Sequence, residues 1–105
     1  MSMAMSQVFA AISDPTRREL LDLLAEREYA VNDLVSRFEV SQPAVSHHLR
    51  ILREAGLVKK RRAGRQRLYR LKARPLREVY DWVAHYERFW TEKLDALGEH
   101  LRRIP

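Results

Sequence analysis

The chain has 105 residues, enough for one domain with a modest core but not for two. Apolar residues make up 46% and charged residues 32%, a globular rather than a disordered balance. With no Cys there is no disulfide framework, Cys nucleophile or thiolate metal site, and three glycines cannot supply a phosphate-cradling loop.

The chain opens on MSMAMS, which lacks the basic start and apolar run of a signal peptide. The sequence therefore predicts a flexible segment over residues 1–6 of a cytoplasmic protein. No stretch approaches 18 apolar residues, so no membrane partner is expected. Residues 6–12 (SQVFAAI) read as a short helix with Val8, Phe9 and Ile12 on one side. Ser13 and Asp14 are cap residues and Pro15 suits a first helical position. The next helix runs to about Glu26, with Leu20, Leu21, Leu23 and Leu24 as its apolar face. After Tyr29-Ala30-Val31, Asn32 is the expected cap of a short helix over Asp33–Glu39. Ser41 caps another helix, Gln42 to about Ala55, with Val45, Leu49 and Leu52 inward and Gly56 closing it. The period then changes. Residues 57–62 and 67–72 read as two strands joined by a Gly-containing turn at 63–66. Pro75 opens a long helix over 76–102, in which Leu76, Val83, Trp90 and Leu97 recur every seven residues. Four helices, a two-stranded wing and a long C-terminal helix describe a mainly α winged helix-turn-helix, one domain over 1–105.

Charge is unevenly placed along this order. The formal net charge is +6, but residues 41–74 carry eleven basic side chains against one acidic, while the segments on either side are mildly acidic. Such a block repels itself, and a polyanion relieves it. The block coincides with the helix after Ser41 and the hairpin. On that helix Gln42, Ser46, His47 and Arg50 project away from the apolar side. Gln suits adenine edges and Arg suits guanine edges in the major groove. Ser41 both caps the helix and meets a phosphate. On the hairpin, Arg62 and Arg65 at the tip suit the minor groove or flanking phosphates, and Lys60 and Arg67 suit looser phosphate contacts. His48 lies nearer the packed side, so a structural role is expected for it.

Tyr80, Trp82, Tyr86, Phe89 and Trp90 put five of the nine aromatics within eleven residues. One chain of this size cannot cover them all. The expectation is a dimer interface on the last helix, including Tyr80, Val83, Tyr86, Trp90, Leu94 and Leu97. The alternative is a pocket for an apolar small-molecule effector between subunits.

The segments SDPTRRELLDLL, SQPAVSHHLRILREAGLV and RRAGRQRLYRL resemble the ArsR/SmtB type of bacterial winged-helix repressor, over roughly residues 7–101. The resemblance implies a homodimer joined by its first and last helices, which adds Val8, Phe9 and Ile12 to the expected interface. It also implies a palindromic operator and repression released by a signal. One metal site of that family is a Cys-x-Cys-Asp-Leu motif; here the segment reads Ala30-Val31-Asn32-Asp33-Leu34, with neither Cys. A second family site uses Asp and His on the last helix. Asp81 and His85 stand at i, i+4 there, but the spacing departs from the family's and its second His pair is missing.

The sequence thus predicts a sequence-specific, DNA-binding homodimeric repressor of its own or a nearby promoter, from a Cys-free branch, with no cofactor and no catalytic residues. The alternatives are a non-specific architectural DNA-binding protein and a metal-responsive repressor that uses Asp81 and His85. Architectural binders commonly insert apolar wedges, whereas the projecting positions here are polar.

Overall fold

The computed structural model of the chain describes residues 2–103. The first helix, α1 (Met3–Ile12), begins three residues before its expected start, because the Ser2 hydroxyl accepts the Met5 N–H and caps it. Residues 3–6, expected to be a flexible lead-in, are its first turn. Helix α2 (Pro15–Glu26) follows, with the Asp14 carboxylate accepting the Arg17 N–H at 3.0 Å and Pro15 in the first turn.

The chain then forms a short strand, β1 (Tyr29–Ala30), which the sequence did not announce. It pairs antiparallel with β3 (Gln66–Leu71), and β3 pairs with β2 (Val58–Ala63). The wing is therefore two strands of a three-stranded sheet in the order β1-β3-β2. Pairing Tyr29 with Tyr69 and Ala30 with Leu68 brings the chain straight into α3 (Val31–Val35). That helix starts earlier than predicted and is capped by Ala30, without a side-chain bond, rather than by Asn32. Strands β2 and β3 each run one residue closer to the turn than the spacing suggested. Only Gly64 and Arg65 lie between the paired Ala63 and Gln66, and Gly64 has φ +62°. A positive φ at the first central residue is what a type II′ hairpin requires.

Helix α4 (Gln42–Glu54) matches the predicted span closely. It ends in a Schellman motif. The Leu57 N–H donates to the Leu52 carbonyl and the Gly56 N–H to the Arg53 carbonyl, both at 2.9 Å, with Gly56 at φ +79°. Leu57 drops fully into the core beneath it.

The core joins Val8 and Ala11 of α1, Leu20, Leu21 and Leu24 of α2, and Leu34 of α3 to Val45, Leu49 and Leu52 of α4 and the sheet residues Tyr29, Val58 and Tyr69. Val8 is only 3% exposed. It is spent inside its own chain, which corrects its expected place on a dimer surface. Ile12 is half-buried against the same core.

The long C-terminal helix is interrupted. Helix α5 (Leu76–Ala84) packs Leu76 and Val79 on the core, and α6 (Glu87–Arg103) follows after His85 and Tyr86. The His85 Nδ1–H donates to the Asp81 carbonyl at 2.8 Å, while the His85 backbone N–H turns to Trp82 O. A side chain has entered the i→i−4 ladder, a recognised cause of a helix break. Beyond it α6 packs little on the rest of the chain. The radius of gyration is 18.2 Å, against about 13 Å for a compact domain of this length.

Candidate nucleic-acid interface

Helix α4 is held by one face and presents the other. Val45, Leu49 and Leu52 are fully buried, which fixes the direction of every other residue on the helix. Gln42, Ser46, His47 and Arg50 are all exposed on the far side, as expected from spacing. The Ser41 hydroxyl accepts the Ala44 N–H at 3.3 Å, so its capping duty is engaged before any partner arrives. Arg50 lies 3.3 Å from His47 Nδ1 through Nη2 and 4.0 Å from Glu54 through Nε. Its guanidinium is thus already held out along the helix in a shallow, exposed arrangement.

The wing adds a second wall. Directly opposed residues in an antiparallel pair share a face. The pairs Val58–Leu71, Lys60–Tyr69 and Arg62–Arg67 therefore lie on one side, with Val58 and Tyr69 buried against the domain. That side carries Lys60, Arg62 and Arg67, three of the four wing residues expected to meet DNA, and Arg65 stands exposed in the turn. Lys59, Arg61 and Arg70 fall on the reverse side. Arg61 donates to Glu28 Oε2 at 2.8 Å and ties the wing to the start of β1.

Between α4 and the wing runs an open groove lined by Ser46, His47, Arg50, Arg53, Lys60 and Tyr69. Arg53 was not foreseen as a site residue, although it follows Arg50 by three and Ser46 by seven, on the same helical row. Lys60 feels it directly. The neighbouring Arg53 charge holds the Lys60 ammonium below its ordinary pKa, with partial desolvation and Arg67 adding to the effect. Lys72, past the end of β3, is lowered in the same way by Lys59, Arg74 and Arg70. Cations that push each other toward deprotonation form a surface ready for an anion.

A polar junction behind α4 was also missed. Arg17 Nε donates to Ala11 O at 2.6 Å and Nη2 to Ala10 O at 3.1 Å, while Nη1 reaches His48 Nδ1 at 3.2 Å. Arg18 donates to Ile12 O at 2.9 Å. The end of α1 is thereby capped by two side chains from α2. Accepting the Arg17 N–H holds the Asp14 carboxyl below its ordinary pKa; burial opposes this, and the Arg17 charge assists.

On the other side of the molecule Phe9 meets Trp82 edge-on at 5.4 Å, and Trp82 meets Tyr86 at 5.5 Å. Tyr80, Tyr86, Trp90, Leu94 and Leu97 remain exposed, together with Phe89 and Leu101. Val83 is half-buried. Asp81 and His85 are not arranged as a ligand pair. The Asp81 carboxylate accepts from Arg77 Nε at 3.2 Å, and His85 Nδ1 is bound to the Asp81 carbonyl. Among the described residues no group of three or more His, Asp or Glu side chains is placed to hold a metal ion. No helix there is long and apolar enough to cross a membrane.

Comparison with known proteins agrees with this geometry. Residues 14–60, from the α2 cap into the wing, match the family described as bacterial regulatory protein, arsR family. The chain is 39% identical over 82 residues to the transcriptional repressor SdpR of Bacillus subtilis, covering 78% of this chain and 91% of that protein. It is 39% identical over 93 residues to the HTH-type transcriptional regulator Rv2034 of Mycobacterium tuberculosis, covering 89% and 84%. Among solved structures, an ArsR-like transcriptional regulator from Rhodococcus sp. RHA1 superposes with a TM-score of 0.71 at 31% identity, covering 91% of each chain. A homodimeric winged helix-turn-helix DNA-binding domain from Mycobacterium bovis superposes with a TM-score of 0.66 at 29% identity, covering 80% and 81%.

Proposed function

The chain belongs to the arsR family of bacterial DNA-binding transcriptional regulators, and we propose that it is a homodimeric, sequence-specific repressor acting in the cytoplasm on a palindromic operator. The observation that carries this reading is the alignment of two surfaces. The polar row of α4 and the cationic side of the wing border one groove. Gln42, Ser46, His47 and Arg50 address base edges in the major groove, with Arg50 suited to guanine. Ser41 and the first turn of α4 meet a phosphate. Lys60, Arg62, Arg65 and Arg67, joined by Arg53, neutralise phosphates and release counterions.

A dimer through Phe9, Ile12 and the exposed apolar face of α5 and α6 covers the aromatics that one chain leaves bare, and the M. bovis relative is homodimeric. It sets two α4 helices about one DNA turn, roughly 34 Å, apart. Ala30 and Asn32 stand at the Cys positions of the family's thiolate site, and both are poor ligands for soft metals. The signal that releases DNA is therefore not a thiolate-bound metal. The small hollow at the helix break, lined by Tyr80, Val83, Ala84, Glu87 and Trp90, is where an apolar effector would enter.

The test is a fluorescence-anisotropy titration against the DNA upstream of the protein's own gene, with excess random duplex. Retained binding supports the reading. Binding erased by the random duplex, followed by failure to select any preferred sequence from a randomised library, would replace it with an architectural role.

A further inference from the structure

His47 and His48 are adjacent on α4, with rings 5.9 Å apart, yet they face different partners. His47 stays on the exposed row beside Arg50. His48 turns inward, its side chain only 18% exposed, and meets Arg17. The same guanidinium holds the Ala10 and Ala11 carbonyls. Those carbonyls close the last turn of α1, where the Ala10 carbonyl also accepts the Ser13 N–H at 3.3 Å and the Ser13 hydroxyl at 2.7 Å. One rigid fork thus joins the end of α1 to the middle of α4. Arg suits this place because its donors lie fixed in a plane, whereas Lys offers a single point charge.

We infer that Arg17 is a positioning residue for DNA reading, acting through His48 to set the rotation of α4 against α1 and α2. The inference rests on the DNA-reading role proposed above. Val45, Leu49 and Leu52 anchor α4 by apolar contacts, which are non-directional. The Arg17–His48 bond is directional and the only side-chain hydrogen bond from α4 to another element among the described residues. A rotation of about 20° about the helix axis moves a side-chain tip by roughly 2 Å at a radius of about 6 Å. That exceeds what a base-edge hydrogen bond tolerates.

The bond also dictates a protonation state. Arg has no acceptor, so His48 Nδ1 must offer its lone pair and carry its proton on Nε2. A second proton on Nδ1 ends the bond. The groups facing His48 favour a different partner for that form. Asp14 Oδ2, at the α2 cap, lies 3.9 Å away; Arg17 comes from α2 and His47 from α4 itself. Glu54 lines the same cleft between α1 and α4 as Arg17.

The experiment uses the full chain and a duplex selected by the protein from a randomised library, with a random duplex for comparison. Affinities are measured well below each variant's melting midpoint. Arg17→Met is expected to lose about tenfold in affinity for the selected duplex, the scale of a lost charge-assisted hydrogen bond. Its affinity for random duplex, set by phosphates, should stay within about twofold. His48→Gln keeps an acceptor for Arg17 and is expected to bind and discriminate like the parent. Should Arg17→Met fail to fold, His48→Leu, which leaves the α1 bonds intact, must lose the same selectivity. A lower melting midpoint with unchanged selectivity overturns the inference, because it shows a purely structural role. A parent that does not distinguish the two duplexes overturns the DNA-reading role itself, and the positioning role with it.

Discussion

Replacing Trp90 with Ala is the sharpest way to ask whether the bare face of α6 joins two copies. Trp90 is 56% exposed on a helix that packs on little else. A Trp side chain offers roughly 250 Å2, so about 140 Å2 is open to solvent here. Covering two thirds of that area at about 25 cal/mol per Å2 gives about 2.3 kcal/mol per protomer. A two-fold interface uses the residue twice, so the dimer gains about 4.5 kcal/mol, or roughly 2000-fold in dissociation constant. The assay is sedimentation equilibrium over a concentration series, with circular dichroism confirming the fold. Trp90→Ala should shift a stable dimer to monomer at micromolar concentration and leave the melting of the monomer unchanged. Trp82→Ala is the contrast, since it removes the edge-on contact with Phe9 and should destabilise the fold itself by about 1 kcal/mol or more. If the parent is dimeric and Trp90→Ala dimerises equally well, the interface lies elsewhere.

The remaining perturbations separate base reading from phosphate binding and test the α2 cap. Arg50→Ala should cost about 1–3 kcal/mol on the selected duplex and relax preference at one base position. Lys60→Gln should weaken all duplexes alike and reduce the slope of log affinity against log salt by about one. Measured salt slopes on selected and random duplexes check both, and identical behaviour of the two variants would place α4 outside the groove. Asp14→Ala should lower stability by about 1 kcal/mol through loss of the N-cap. Its carboxyl is held below the ordinary value, so the stabilisation is complete above the ordinary carboxylate range and disappears as pH falls through the lowered value. Denaturant melts against pH should show a shallower acid limb for the variant.

Much of this arrangement was legible because local rules and tertiary packing agree. The Ser41 cap, the apolar spacing of Val45, Leu49 and Leu52, and the Gly56 terminus each point to α4, and all hold. The exposed row followed, because a buried face leaves only one other. What escaped the sequence depends on contacts distant along the chain. Two residues, Tyr29 and Ala30, form a strand only because β3 offers them a paired edge. Val8 looks like any residue on an amphipathic helix until α2 and α4 close over it. The break at His85 comes from one side chain bonding a carbonyl one turn back, which sevenfold spacing cannot reveal. Arg17 reads as an ordinary helical Arg until α1 and α4 converge on it.

The crowded cations impose opposite salt responses on the free and bound protein. Lys60 and Lys72 are both held below their ordinary pKa by neighbouring positive charge, so the folded chain binds these protons less readily than the unfolded chain does. While both lysines are protonated, that repulsion works against folding. It eases as pH rises through their lowered values. The exposed pairs Arg61–Glu28, Arg77–Asp81 and Arg50–Glu54 work the other way, but such pairs contribute little individually. Residues 41–74 set eleven basic side chains against one acidic, so repulsion dominates the balance. Raising salt from about 0.05 M to about 0.5 M shortens the screening length from roughly 14 Å to roughly 4 Å. It should therefore raise the melting midpoint of the free protein. The same change displaces the protein from DNA, because counterions released on binding gain less entropy when they enter more concentrated salt. The two curves should cross in sign on one sample, by calorimetry without DNA and anisotropy with it. A midpoint that falls with salt would mean the ion pairs outweigh the block, and the wing would not be a surface poised for a polyanion.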